Sequence, residues 1–248
     1  MSCIVIIPAR MGSSRLPGKP LADIAGKPMI VHVWERAVAA GIGPVVVAAA
    51  EREIAVTVEK SGGTAVLTDP ALASGTDRVF AALRLFDPEG SHSAVVNLQG
   101  DLPLIEPANL ETAERTLRAT GADIATLAAP ISDEADFDNP SVVKPVIAWD
   151  RGMSCGRALY FTRSRAPYGE GALYHHIGIY AFRRDALQRF VALPPSPLER
   201  RENLEQLRAL EAGMTVAVAR VETVPLSVDT PADLARVRAA AQPQMSSG

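Results

Sequence analysis

Ile4-Val5-Ile6-Ile7 is an unbroken apolar run, and strand-like runs follow at residues 45–49, 64–67 and 94–98, with helical spacing between them. Continuous rather than alternating apolar runs are the mark of parallel strands covered on both faces. Between the runs, residues 29–40 place Ile30, Val33, Trp34 and Ala37 on one helical face and stop at Gly41. Residues 54–59 lie in a second helix ended by Gly62-Gly63, and a third, starting near Thr76, carries Val79, Leu83 and Phe86. Another opens at Pro107, a residue suited to a first helical turn. This rhythm predicts an α/β fold: a Rossmann-like, mainly parallel sheet with helices on both faces.

The rhythm changes after about residue 130. Residues 142–148 and 156–161 read as strands flanking the turn Asp150-Arg151-Gly152, a hairpin signal. A strand at 176–182, a helix at 199–211 ended by Gly213, a strand at 216–221 and a helix from Thr230-Pro231 complete the reading, with 242–248 as a frayed tail. The sequence shows no internal repeat and no linker. The 248 residues are therefore expected to form one domain: 1–129, an inserted subregion at 130–215 for substrate choice and dimer contacts, and 216–241 returning to the main sheet.

The first apolar run empties into A-R-M-G-S-S-R-L-P-G-K, residues 9–19. Arg10, Arg15 and Lys19 fall within ten positions, interleaved with Gly12, Ser13, Ser14 and Gly18. Glycine and serine let backbone N–H groups approach an anion, and the cations neutralise it, so the loop is suited to a polyphosphate. A Walker A loop is excluded: five residues separate Gly12 from Gly18, and Pro20 stands where a metal-binding hydroxyl would be. No G-x-G-x-x-G occurs in this loop either. The loop looks like the signature loop of sugar nucleotidyltransferases, which wraps an NTP.

Parallel sheets bind ligands beyond the carboxyl ends of their strands, which places Asp101, after Gln99-Gly100, in the same crevice as the loop. Beside a polyphosphate Asp101 reads as a magnesium ligand; alone it reads equally as a cap of the next turn. Asp229 sits at another strand-to-helix junction, where either it or Thr230 would serve as a helix cap. Ser74-Gly75-Thr76 either presents donors to a nucleotide or caps a helix. His176, following the cationic and aromatic loop 163–174, is either structural or substrate-facing. Glu205 and Gln206 lie on a charged helix face beside the packing stripe Leu204, Leu207 and Leu210. No covalent nucleophile stands out.

The net charge of −3 and pI near 5.9 argue against general nucleic-acid binding, so the basic loop is a local device. Two distant cysteines, Cys3 and Cys155, fit a reducing cytosol and no zinc site. With no stretch of eighteen apolar residues and no signal-type start, the expectation is a cytoplasmic protein without a membrane span.

Several segments then carry a resemblance in the expected order: I-P-A-R-x-x-S-x-R-L-P-G-K-P-L at 7–21, Gly26-Lys27-Pro28-Met29-Ile30, Ser74-Gly75-Thr76, Asn97-Leu98-Gln99-Gly100-Asp101, Leu159-Tyr160-Phe161, His176-Ile177-Gly178-Ile179-Tyr180, Ser196-Pro197-Leu198-Glu199, Leu204-Glu205-Gln206-Leu207-Arg208 and Val228-Asp229-Thr230-Pro231. Over essentially its whole length the chain resembles the 3-deoxy-manno-octulosonate (Kdo) cytidylyltransferases, also called CMP-Kdo synthetases. The resemblance implies a nucleotide-diphospho-sugar transferase type of fold, with 1–129 as the CTP-binding half. It implies that Ala9, Arg10, Ser13, Ser14, Arg15, Lys19, Ser74, Gly75, Thr76, Gln99 and Gly100 meet CTP, and that Asp101 and Asp229 hold Mg2+. It implies that Arg163, His176, Tyr180, Glu205 and Gln206 shape the sugar-acid pocket, and that the chain is a homodimer making CMP-Kdo for lipopolysaccharide. Transfer to another acid sugar (8-amino Kdo or a sialic acid) and a catalytically silent nucleotide-binding regulator are the rival readings. Two departures stand out: Leu102 replaces an acid common after Q-G-D, and Ala48-Ala49-Ala50-Glu51 lacks a common Thr-Asp.

Overall fold

Each of the four runs is a strand in the computed structural model, which describes residues 2–13 and 15–241. Ser14, expected to meet CTP, and the tail at 242–248 lie outside the described residues. In chain order the elements are β1 (Cys3–Ala9), a 3-10 turn (Lys19–Leu21), β2 (Asp23–Ile24), β3 (Lys27–Pro28), α1 (Met29–Ala39), β4 (Val45–Ala49), α2 (Arg52–Lys60), β5 (Thr64–Leu67), α3 (Gly75–Phe86), β6 (Ala94–Asn97) and α4 (Pro107–Thr120). There follow β7 (Ile124–Pro130), a 3-10 turn (Glu134–Asp136), β8 (Lys144–Trp149), β9 (Cys155–Thr162), β10 (Tyr174–Arg183), α5 (Arg184–Ala192), α6 (Pro197–Glu202), α7 (Gln206–Glu211), β11 (Val216–Arg220) and α8 (Pro231–Ala241).

The chain gathers into two units. The first comprises Ile4–Gly90, Asn97–Ala108 and the residues from Pro225 on. Its strands β5, β4 and β1 pair in that order, all parallel, with Val5 opposite Val45 and Val46 opposite Thr64. Ile4 to Ile7 and Val46 to Ala49 are fully buried, which is why those stretches carry no polar alternation. Burying each such β-branched side chain contributes about 1.5–3 kcal/mol. β5 is more open, with Leu67 exposed.

The second unit comprises Ser91–Val96 and Asn109–Val224 with the first residues of the chain. Its strand order is β6-β10-β7-β11-β9-β8. β7 and β11 run parallel, while β10–β7, β11–β9 and β8–β9 are antiparallel. The β8–β9 hairpin is the one expected around Asp150-Arg151-Gly152. This unit starts at Asn109 rather than near 130, because α4 and the unforeseen strand β7 belong to it. β11 also lies in it, so the return to the first unit comes at Pro225 rather than 216. Helix α5 was not foreseen either.

The helix expected over 199–211 is two helices. Asn203 adopts the left-handed conformation (φ 54, ψ 49) and breaks the segment into α6 and α7. Asparagine is among the few non-glycine residues that tolerate this region. The break turns the Glu202 and Asn203 carbonyls toward Arg163, whose Nε and Nη2 donate to them at 2.7 and 3.2 Å. Asn203→Ala should therefore cost about 1–2 kcal/mol, the left-handed penalty, lowering Tm by roughly 2–8 °C, while Asn203→Gly should be nearly neutral. Thermal unfolding checks this, and an alanine variant more stable than the glycine one would mean that the segment prefers a continuous helix.

Candidate active site

The loop after β1 is braced by its own backbone. Ser13 N and Gly18 N both donate to Met11 O, at 2.9 and 3.2 Å, and Lys19 N donates to Leu16 O at 3.1 Å. Gly18 has φ 72, a conformation that a side chain would strain. Glu51, in the segment that departs from the family pattern, accepts a hydrogen bond from Met11 N at 2.9 Å and so pins the loop to the start of α2. At the other departure, Leu102 is buried and packs inward.

Lys19 begins a 3-10 turn whose Pro20 is buried. Its ammonium donates to Asp101 Oδ2 at 3.1 Å, Val228 O at 2.9 Å and Asp229 Oδ1 at 3.2 Å, which engages all three N–H bonds. Arg15 Nη2 lies 3.2 Å from the other Asp229 oxygen. The carboxylates are set from behind: Val228 N donates to Asp101 O at 2.9 Å, and Val228 is buried with Ile24, Met29, Leu234 and Val237, against which Leu16 packs. Of the two residues able to cap α8, Thr230 takes the role. Its hydroxyl accepts from Asp233 N, and the Asp233 carboxylate accepts from the Asp229 and Thr230 N–H groups. That leaves the Asp229 carboxylate for the cations. Burial pushes the Asp233 carboxyl up, but the Thr230 hydroxyl and Arg236, followed by the two N–H donors, outweigh it and hold the carboxyl at about 2, below the usual range.

These groups line a cleft of about 470 Å³ in the first unit. Ala9, Arg10, Ser13, Arg15, Lys19, Ser74, Gly75, Gln99, Gly100, Asp101 and Asp229 all face it. The first turn of α3 opens onto the same space, and the N-terminus of a helix favours an anion. Ser74 also caps that helix, its Oγ accepting from Asp77 N at 3.1 Å. Ser74 thus lines the cleft and caps the helix at once. Thr76 is placed differently: it is buried and its hydroxyl accepts from Asn97 Nδ2, which puts it behind the cleft wall. Asn97 Oδ1 in turn accepts from Gln99 Nε2 at 3.1 Å, fixing the Gln99 amide.

Arg78 was missed by the sequence reading although it lies one helical turn beyond Ser74. Only 2% exposed, it lines the cleft while its guanidinium donates to Thr68 Oγ1 at 2.6 Å and Asp69 O at 3.1 Å. Burial lowers its pKa from the ordinary arginine value.

Gly100 has a steric reason to be glycine. A Cβ there would stand 2.9 Å from Pro8 O, a main-chain atom that cannot swing aside. Gly100→Ala must therefore shift the 99–101 turn and with it Asp101. A displacement near 1 Å costs roughly 100-fold in turnover, so steady-state kinetics should show that loss with the fold retained. Activity within about threefold of the parent would show that the turn is not critical to placement.

The residues expected to meet the sugar acid lie in the second unit. His176 is buried, its Nε2 is 2.9 Å from Thr126 Oγ1, and its ring meets Phe161 edge-on at 4.9 Å and Tyr180 at 5.5 Å. Burial, with a smaller contribution from His175, pushes its pKa down to about 3, so it is neutral at physiological pH. Burial, then the Glu205 charge, raises the Tyr180 hydroxyl, which keeps it a donor. Gln206 is buried at the start of α7, and Glu205 precedes it, 3.8 Å from Arg208 Nη2. Arg163 is committed elsewhere: besides the Glu202 and Asn203 carbonyls, its Nη1 donates to Pro140 O at 2.8 Å, and the Glu202 carboxylate accepts from its N–H at 3.0 Å. In this structure Arg163 ties α6 to β9.

The His176 shift makes a testable link to stability. Its folded pKa lies below the unfolded value near 6.5, so between pH 6.5 and about 3 the unfolded chain binds the extra proton. The His176 contribution is present above pH 6.5 and lost as pH falls toward 3. Chemical denaturation of the parent and of His176→Gln should show stabilities that converge on acidification from pH 6.5. A difference that stays constant over that range would mean that His176 is not held neutral.

A cytidylyltransferase family profile matches residues 4–216. A 3-deoxy-manno-octulosonate cytidylyltransferase of Parvibaculum lavamentivorans is 64% identical over 96% of this chain and 92% of its own length. One of Rhodospirillum centenum is 61% identical over 97% and 94%. A solved structure, that of CMP:2-keto-3-deoxy-manno-octonic acid synthetase complexed with CTP, is 41% identical, covers 97% of this chain and 98% of its own, and superposes with a TM-score of 0.89. The fold, a mixed and mostly parallel sheet with helices, is shared with that structure. On these matches, which run at near-full length in both directions, the chain belongs to the 3-deoxy-manno-octulosonate cytidylyltransferase family.

Proposed function

We propose that the chain transfers CMP from CTP to Kdo, giving CMP-Kdo and pyrophosphate for lipopolysaccharide synthesis. The observation that carries this reading is the convergence of Arg10, Arg15 and Lys19 with the Asp101–Asp229 pair around one cleft at the mouth of α3. The anomeric hydroxyl oxygen of Kdo forms a bond to the α-phosphorus as the bond from that phosphorus to the bridging oxygen breaks. The electron pair leaves with pyrophosphate and the hydroxyl proton passes to solvent. Such a transfer needs positioning and charge neutralisation more than covalent help. Arg10 and Arg15 neutralise the triphosphate, the glycines and Ser13 admit it closely, and Lys19 is shared between phosphate and the two carboxylates.

Magnesium suits this donor set. Asp101 and Asp229 are close enough to share one ammonium, and magnesium is typically bound by one or two carboxylates together with phosphate oxygens and water. Asp101 and Asp229 would hold it, and it would supply charge stabilisation at the α-phosphate and lower the pKa of the attacking hydroxyl.

On the sugar side, neutral His176, Tyr180, Glu205 and Gln206 are proposed to recognise Kdo through its hydroxyl groups. An uncharged imidazole offers no countercharge to a carboxylate, so the sugar acid group needs another partner than His176. Arg163, with its donors on three carbonyls, is a framework residue in this reading. Action as a homodimer in the cytoplasm is part of the proposal; among the described residues no helix is long and apolar enough to cross a membrane.

Asp101→Asn should leave the fold intact and reduce pyrophosphate release from CTP and Kdo by roughly 100-fold or more, the loss expected when a transition-state electrostatic contact is removed. Asp229→Asn should behave alike, and the double variant should lose far less than the product of the two, because both act on one charge site. A panel including 8-amino Kdo and a sialic acid assigns the acceptor. No release with any of them would favour a silent nucleotide-binding regulator, and near-parent activity of Asp101→Asn would remove the carboxylate pair from the mechanism.

A further inference from the structure

β10 and β7 lose register opposite one residue. His176 pairs with Ala128 and Ile177 with Leu127, and pairing resumes with Ala181 opposite Ala125. Three residues, Gly178, Ile179 and Tyr180, thus bulge against the single residue Thr126. Such a bulge leaves carbonyls without their ladder donors, and a buried carbonyl left unpaired is costly. Thr126 answers this from β7. It is fully buried, and its Oγ1 lies 2.7 Å from Ile179 O and 3.1 Å from Ile177 O. The third neighbour of that oxygen is His176 Nε2, at 2.9 Å.

Proton counting then fixes the imidazole. A hydroxyl has one proton, and carbonyls can only accept. The Thr126 proton goes to a bulge carbonyl, Ile179 O being the nearer. With Nε2–H donating to the hydroxyl oxygen, both that contact and the one to Ile179 O are hydrogen bonds. The reverse tautomer would take the hydroxyl proton from both carbonyls, so the geometry favours the hydrogen on Nε2. In a neutral ring Nδ1 is then a bare acceptor. Phe161 and Tyr180 hold the ring plane, so Nδ1 has a defined direction as well as a defined role.

We propose that Thr126 is a positioning residue: it closes the β10 bulge and sets His176 as an Nδ1 hydrogen-bond acceptor for a hydroxyl of the polyhydroxylated sugar acid. This rests on the reading of His176 as a sugar-pocket residue given above. The specificity follows from chemistry. An acceptor pairs with a sugar O–H, and it repels a carboxylate oxygen, so this side of the site sorts substrates by a hydroxyl in one place.

The test combines a spectroscopic and a kinetic readout on the full chain. Imidazole 15N–1H correlation spectra of histidine-labelled protein, with His176→Gln assigning the signal, should show His176 as the Nε2–H tautomer. Thr126→Val keeps the shape and removes the hydroxyl; His176 should then lose that single tautomer. Its KM for Kdo should rise by roughly tenfold or more, the scale of one lost hydrogen bond to a substrate, with KM for CTP unchanged. Thr126→Ser should restore both readouts. An Nδ1–H or doubly protonated His176 in the parent overturns the proposal with no variant needed, so poor folding of Thr126→Val does not shield it. An unchanged tautomer in Thr126→Val, or equal rises in both KM values, overturns it too. A changed tautomer with parent-like Kdo kinetics in both Thr126→Val and His176→Ala overturns the sugar-pocket reading on which it rests.

Discussion

Lys19 Nζ lies within 3.2 Å of three oxygens from two distant stretches of chain, Asp101 Oδ2, Val228 O and Asp229 Oδ1. Two carboxylates this close repel unless a cation stands between them. The ammonium therefore does more than neutralise a ligand: it permits the strand-end turn carrying Asp101 and the returning segment carrying Asp229 to approach each other. The neighbouring groups are arranged around that contact. Arg15 takes the remaining Asp229 oxygen, Thr230 and Asp233 cap α8 so that Asp229 is not needed there, and the Val228 core cluster holds the backbone in place. A triphosphate entering the cleft as proposed would meet Lys19 and Arg15 already paired with carboxylates. Its binding is an exchange of partners, which costs less desolvation than stripping bare charges would.

The two groups of proposed site residues are built on opposite electrostatic principles. In the first unit, charge is kept partly exposed, as suits a polyanion whose recognition is Coulombic. In the second, His176 and Tyr180 are held neutral by burial, as suits a polyol recognised by matched donors and acceptors. A polar partner that must be matched discriminates more sharply than a countercharge, because a wrong ligand leaves a buried group unpaired.

Much of this was legible in the sequence, for identifiable reasons. The parallel strands of the first unit were visible because both their faces are buried, so their apolar character is continuous. The basic loop was visible because its cations are close in sequence. What was not legible depended on distance or on local ambiguity. Lys19 meets its carboxylates across 82 and 210 positions, so no local pattern shows that its charge is already shared. β7 reads Ile-Ala-Thr-Leu-Ala-Ala-Pro, and its alanines favour no strand over a helix. The leucine stripe through 204–210 continues the periodicity of α6 past Asn203, and only the left-handed backbone there reveals two helices. Thr126 gives no sequence signal, since its importance arises from a bulge in a different strand.

The order in which the first unit's pieces leave the ribosome follows from its interrupted chain path. It draws on residues up to Gly90, on Asn97–Ala108 and on the residues from Pro225 on, with nearly all of the second unit encoded between the last two. At translation rates of about 5–20 residues per second, the 210 positions from Lys19 to Asp229 take roughly 10–40 s to synthesise. Once Asp101 has been added, and until Asp229 follows, a nascent chain holds Lys19 and Asp101 but not the partner that completes the charge cluster. The second unit's core is whole once Val224 has emerged, so of the two units the one that carries the cleft is the later to be finished.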